Sequence, residues 1–112
     1  MKLLYDEQHD ILDVIFNESE NGLDRAGYEL RDGIILHISS EQRPVQLTFV
    51  NFRRLTELPV VHFQGLESQP SDIRKTLLTL VASPPVNAFL KIDPATFFGH
   101  VTSPAVLDVC TP

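Results

Sequence analysis

Near the start of the chain, four side chains able to bind a metal or move a proton fall within five residues: Asp6, Glu7, His9 and Asp10 of DEQHD. A hard cation needs about six oxygens or more, set at alternating positions around a glycine. This segment has no glycine and is too short to wrap an ion. A transition metal asks for at least two His or Cys ligands, and His9 has no such neighbour in sequence. His37, His62 and His100 can converge only through the fold, and each falls in a predicted strand. General acid–base work needs one carboxyl raised by burial beside one kept ionised, whereas Asp6 and Asp10 flank a hairpin tip where water screens both. The expectation is turn chemistry, with Asp side chains accepting hydrogen bonds from backbone N–H groups that the turn leaves unpaired.

The remaining nucleophiles and phosphate binders point the same way. Ser39, Ser40, Ser71 and Ser103 lack a G-x-S-x-G context, and the five glycines form no phosphate loop. Cys110 has no neighbouring base in sequence and reads as a small apolar residue in a tail. Tyr5 and Tyr28 read as half-buried strand residues whose hydroxyls reach water. The sequence therefore predicts no catalytic residue, no metal and no cofactor. Arg53 and Arg54, beside Phe52, are candidates for contact with an acidic partner or with the acidic hairpin (Asp6, Asp10) of a second copy. His37 and His62 are the candidates for a ligand pocket between sheet and helix.

The elements that must position these residues are mostly strands. KLLY (2–5) and ILDVIF (11–16) are short β-type runs across a polar connection, which reads as a hairpin. Asn21-Gly22 marks the next turn, a weaker strand follows near 24–30, and Asp32-Gly33 leads into GIILHIS. VQLTFVNF (45–52) completes about five short antiparallel strands in a meander. Residues 53–69 read as irregular, with VVHF (60–63) a possible strand. One helix is predicted over 71–83, with Ser71 as N-cap, Asp72 in the first turn, and Ile73, Leu77, Leu80 and Val81 forming an apolar stripe. Pro84-Pro85 stops it. Strands are expected at 86–92 and 96–101, and the apolar residues Phe97, Phe98, Val101, Val106 and Leu107 are expected to pack on the core.

Composition bounds the functional classes. The chain has 112 residues, 43% apolar and 21% charged, which is ordinary globular composition. Residues 1–40 hold nine acidic and three basic side chains, and residues 41–112 hold six of each. An acidic front half disfavours nucleic acid, whose binding is driven by counterion release onto Lys and Arg. No run approaches the roughly 20 apolar residues that span a bilayer, and Asp6 and Glu7 interrupt the apolar start, so neither a membrane segment nor a signal peptide is expected. A single cysteine fits a reducing compartment, and the expected location is the cytoplasm.

MKLLYDEQHDILDVIF, followed by ELRDGIILHIS and VQLTFVNFRRL, resembles the YuzE-like family of small bacterial domains of unknown function. Tyr5-Asp6, Asp10, Leu12-Asp13-Val14, Asp32-Gly33 and Leu47–Phe49 carry the resemblance, which covers residues 1–54. SSEQRP and Gln46 stand where that family has an Asp/Gly turn and a Gly, so the last turn is expected to be of another type. The resemblance implies a small antiparallel sheet and, for some members, a role as the antitoxin-like half of a two-gene module. The reading is an α+β, mainly β domain: residues 1–54 as core and 55–112 as an extension packed on it. Its expected role is non-enzymatic interaction with a small protein, or self-association through edge strands as a homodimer. The alternative is a small-molecule-binding or hydrolase-like protein.

Overall fold

The computed structural model describes residues 1–17 and 25–102. The turn at Asn21-Gly22, and Ser103, Val106, Leu107 and Cys110, lie outside the described residues. The fold is α+β and mainly β, as the alternation predicts. Strands β1 (Lys2–Asp6), β2 (Ile11–Ile15), β3 (Arg25–Arg31), β4 (Ile34–Ser39) and β5 (Pro44–Val50) form one antiparallel sheet in the order β1-β2-β5-β4-β3. Thus the β1–β2 hairpin and the β3–β4–β5 meander join where β2 pairs with β5, setting Leu12 opposite Phe49 and Val14 opposite Leu47.

Period-2 alternation divides the sheet into two faces. Leu12 and Val14, Leu30, Ile34 and Leu36, Leu47 and Phe49 are all fully buried and make the core face. The β3–β4 turn closes through Gly33, whose φ of 88° suits glycine. In SSEQRP, Gln42 instead takes the left-handed conformation (φ 62°) while Ser39 Oγ accepts from the Glu41 and Arg43 N–H groups.

The second half departs from expectation in three places. Residues 53–69 are not irregular: they contain helices α1 (Phe52–Glu57) and α2 (Gln64–Glu67), flanking a short strand β6 (Val61–His62). Both helices are too short to show a periodic stripe, and each is held by burial of Phe52 and Leu55, or of Leu66. The α3 helix runs Ser71–Val81, with Pro70 at the cap, so Ser71 is the first helical residue and not the N-cap; Asp72 sits in the first turn as expected. The strand expected over 86–92 is confined to β7 (Leu90–Ile92), because Val86–Ala88 forms a 3₁₀ turn. The buried residues there, Val86, Phe89 and Leu90, follow the i, i+3, i+4 spacing of a helical turn and not alternation.

The chain ends, among described residues, in β8 (Phe98–Val101), which sits between β6 and β7 in a second, three-stranded sheet. Among the described residues one apolar cluster takes in both sheets and helices α1, α2 and α3, from Leu12 and Phe49 through Phe63, Leu66 and Leu77 to Leu90 and Val101. Helices and small sheet thus cover one face of the large sheet. Its other face carries no element among the described residues.

Candidate functional site

The sequence candidates divide between two places. Asp6, Asp10 and Arg53 come together where the β1–β2 turn meets α1. Asp6 Oδ1 accepts from the Gln8 and His9 backbone N–H groups (3.1 and 3.2 Å), and its Oδ2 lies 2.8 Å from His9 Nδ1. The His9 side-chain hydrogen bond, then the His9 backbone N–H, hold the Asp6 carboxyl below its ordinary range. Asp10, itself left-handed at φ 55°, accepts from the Tyr5 hydroxyl (2.7 Å) and from the Arg53 N–H (3.1 Å to each oxygen). Asn51 gives α1 no side-chain cap, so Asp10 serves the first turn from across the fold. Burial, and then the bond to Asp10, push the Tyr5 hydroxyl up. The Arg53 guanidinium sits 5.6 Å over the Tyr5 ring and 3.6 Å from Glu7. The acidic tip therefore engages its own Arg53. Arg54 takes part in none of these contacts.

The two histidines do not share a pocket. His37 lies on the open sheet face, opposite Gly27 of β3 and Gln46 of β5. A Cβ at Gly27 would come within 3.1 Å of its ring. Burial, and then the Arg25 charge, lower its pKa from the ordinary 6.5, with Asp13 opposing. His62, on β6, stacks on Phe98 (4.5 Å between centroids) and lies 2.8 Å from Glu67 Oε1. The crevice between sheet and helix is lined by Tyr28, Ile38, Gln42, Ile73, Thr76 and Leu77, without either histidine, and holds only about 50 Å³. That is room for a water and not for a substrate. A wider hollow of about 450 Å³, between the end of α3 and the small sheet, opens to solvent and includes Lys91, Asp93 and His100. Among the described residues no three His, Cys, Asp or Glu side chains cluster as metal ligands would, and no helix is long and apolar enough to cross a membrane.

The open sheet face is the surface that sequence reasoning passed over. Asp13, Thr48 and Gln46 form a closed set there: Thr48 Oγ1 donates to Asp13 Oδ1 (2.7 Å), and Gln46 Nε2 donates to both (3.0 Å each). Arg25 extends it by donating to Gln46 Oε1 (3.3 Å). Polar residues at 13, 46 and 48, each inside an otherwise apolar strand, are the signal that marks this face. Beside the polar set stand Ile11, paired with Val50, and Leu4, paired with Asp13; Leu4 is 45% and Val50 37% exposed. At the margin, β1 pairs with β2 and, among the described residues, bears no strand on its other side.

Comparison of the chain with known protein families, with curated proteins and with solved structures finds no match.

Proposed function

We propose that this chain is a non-enzymatic protein-interaction module that meets its partner with the open sheet face and the β1 edge. The observation that carries this reading is Leu4, a large apolar residue standing exposed in the middle of β1, whose outer side carries no strand among the described residues. An edge strand offers a partner main-chain hydrogen bonds, and its alternate side chains supply specificity. Leu4, Ile11 and Val50 would give the contact its apolar part, and the Asp13–Thr48–Gln46 set its polar part. The resemblance of residues 1–54 to YuzE-like domains supports the same class, a small partner protein in a bacterial two-gene module of the antitoxin-like kind. The reading takes the cytoplasm as its setting, in keeping with the single cysteine. The separation of His37 from His62 weighs against the alternative of a ligand-binding or hydrolase-like pocket that the two would share.

The test is site-specific photo-crosslinking in the native cell, with a benzophenone side chain at Leu4, at Val50 or at Lys75 on α3. The expected result is one discrete protein adduct from Leu4 and Val50 and none from Lys75. Equal or absent labelling at the three sites overturns the reading.

A further inference from the structure

Independently of the large sheet, we propose that the hollow between the end of α3 and the small sheet binds a free α-amino acid with an apolar side chain. At about 450 Å³ the hollow is of a size with small-molecule sites, which run from about 300 to 1,000 Å³. Register settles which side chains stand together in it. Residues directly opposite in an antiparallel ladder project to the same face. Lys91 is opposite His100, and one step along Leu90 is opposite Val101. Lys91 and His100 are exposed, whereas Leu90 and Val101 are buried. The first pair therefore stands on the outer face of the small sheet and the second on its core face. Two residues further on, the Asp93 N–H donates to the Phe98 carbonyl (2.9 Å), so Asp93 and Phe98 follow Lys91 and His100 on the outer side. The lining takes in all four, together with Leu90 and Ile92 of β7 and with Val81 and Ala82 where α3 ends.

This lining carries both signs of charge over an apolar wall. The Lys91 ammonium and a His100 ring N–H are donors suited to a carboxylate. The Asp93 carboxylate suits an ammonium, since its Oδ1 takes the Ala95 N–H (2.8 Å) and a carboxylate has about four acceptor sites. α3 adds to the negative side, because its last turn holds no basic side chain to offset the partial charge of its C-terminus. Side chains two apart on a strand are separated by about 7 Å, and no ion pair joins Lys91 to Asp93. Two charge-assisted contacts of about 2.8 Å and the width of one amino-acid head group span that gap. A ligand bearing one charge would desolvate the opposite group without pairing it. A dianion such as phosphate would face Asp93 and the end of α3 as like charges. An α-amino acid answers both groups, and its side chain lies against Leu90, Ile92 and the Phe98 ring, which His62 holds by stacking at 4.5 Å.

An NMR titration of the full chain with L-phenylalanine tests the proposal. The Lys91, Gly99 and His100 amides should shift to saturation with a dissociation constant of about 1 mM, while Gly27 and Thr48 of the large sheet stay in place. The same molecule without its ammonium (3-phenylpropionate) or without its carboxylate (2-phenylethylamine) should bind at least about tenfold more weakly. Lys91→Gln should weaken L-phenylalanine about tenfold and leave 2-phenylethylamine unchanged. Asp93→Asn, which keeps an acceptor for the Ala95 N–H, should weaken L-phenylalanine as much and leave 3-phenylpropionate unchanged. Both side chains are exposed, so both variants should fold, and unshifted large-sheet amides check this. No saturable shift up to about 10 mM, equal binding of the three compounds, or an affinity indifferent to both substitutions overturns the proposal. Photo-crosslinking at Leu4 and Val50 reads a different surface, so the interaction reading and this site stand or fall separately.

Discussion

The two edges of the large sheet are finished in different ways. At β3 the ladder breaks between Glu29 and Arg31, and α2 lies against the strand so closely that a Cβ on Gly65 would sit 2.1 Å from the Glu29 carbonyl oxygen. At β1 the register runs unbroken through five residues, no further strand follows among the described residues, and Leu4 stands exposed between Lys2 and Asp6. A bulge and a covering helix are structural ways to retire an edge, whereas charge is a conditional one, effective only against strands that cannot answer it. The difference teaches which edge is available for contact. Gly65→Val should remove it: α2 cannot seat, and the overpacking should cost about 3 kcal/mol, read as a lower urea midpoint. It should also bring aggregation through the uncovered β3 edge. A loss below about 1 kcal/mol would mean that α2 does not need its close approach.

At the β1 end, order depends on Asp10. Asp10→Ala removes the acceptor of the Tyr5 hydroxyl and the Arg53 N–H and puts alanine at φ 55°, so a loss of about 2 kcal/mol is expected in chemical denaturation. Asp10→Asn should keep more than half of that stability, because asparagine accepts the same bonds and tolerates the left-handed region. If the two variants unfold alike, the carboxamide cannot replace the carboxylate, and charge rather than bonding geometry ties the hairpin to α1.

The sheet was legible in the sequence because alternation is a local signal: Leu12 and Val14, Ile34 and Leu36, Leu47 and Phe49 sit on the core face as their spacing requires. The strand order was not, since the β2–β5 pairing is a contact between distant segments that no local pattern encodes. α1 and α2 escaped because helices of six and four residues are held by tertiary burial and not by a repeating stripe. VNAFLKI misled for a related reason: its alternation is real in sequence, yet Val86 and Phe89 are buried by a 3₁₀ turn after Pro85. At Asp6 the acidic tip shows the turn chemistry that its residue types predict, but no local pattern encodes the reach of Asp10 to the backbone of Arg53. His37 and His62 looked alike on paper; strand parity and the second sheet put them in unrelated surroundings.

The polar set on the open face gives a finer test of what that face is for. Asp13→Leu leaves the Thr48 hydroxyl and the Gln46 amide without their shared acceptor, at an expected cost of about 1 kcal/mol. Thr48→Val added to it should recover part of that loss, with a coupling of about 0.5 kcal/mol in a double-mutant cycle. Strict additivity would mean that the three side chains act independently, as solvated residues on an unused surface would.

The smallest expected effect is a titration, and it bears on the β3 end of the same face. His37 is half-covered there, and burial, then Arg25, lower its pKa below 6.5. The unfolded chain therefore takes up this proton more readily than the folded one. The stability associated with neutral His37 is whole above pH 6.5 and declines as pH falls from there through the lowered folded value. An NMR titration should place the His37 midpoint below 6.5, Arg25→Gln should move it part of the way back, and Asp13→Asn should move it further down. The first shift is only partial because burial, the larger cause, remains. His37→Gln should flatten this part of the acid-side decline in urea midpoints. A His37 midpoint at 6.5 would show the ring to be freely solvated, making the β3 end of this face as open as the β1 edge, and one above 6.5 would show the Asp13 charge to outweigh burial. A midpoint that falls further when the partner binds would show instead that the contact surface reaches across the whole sheet.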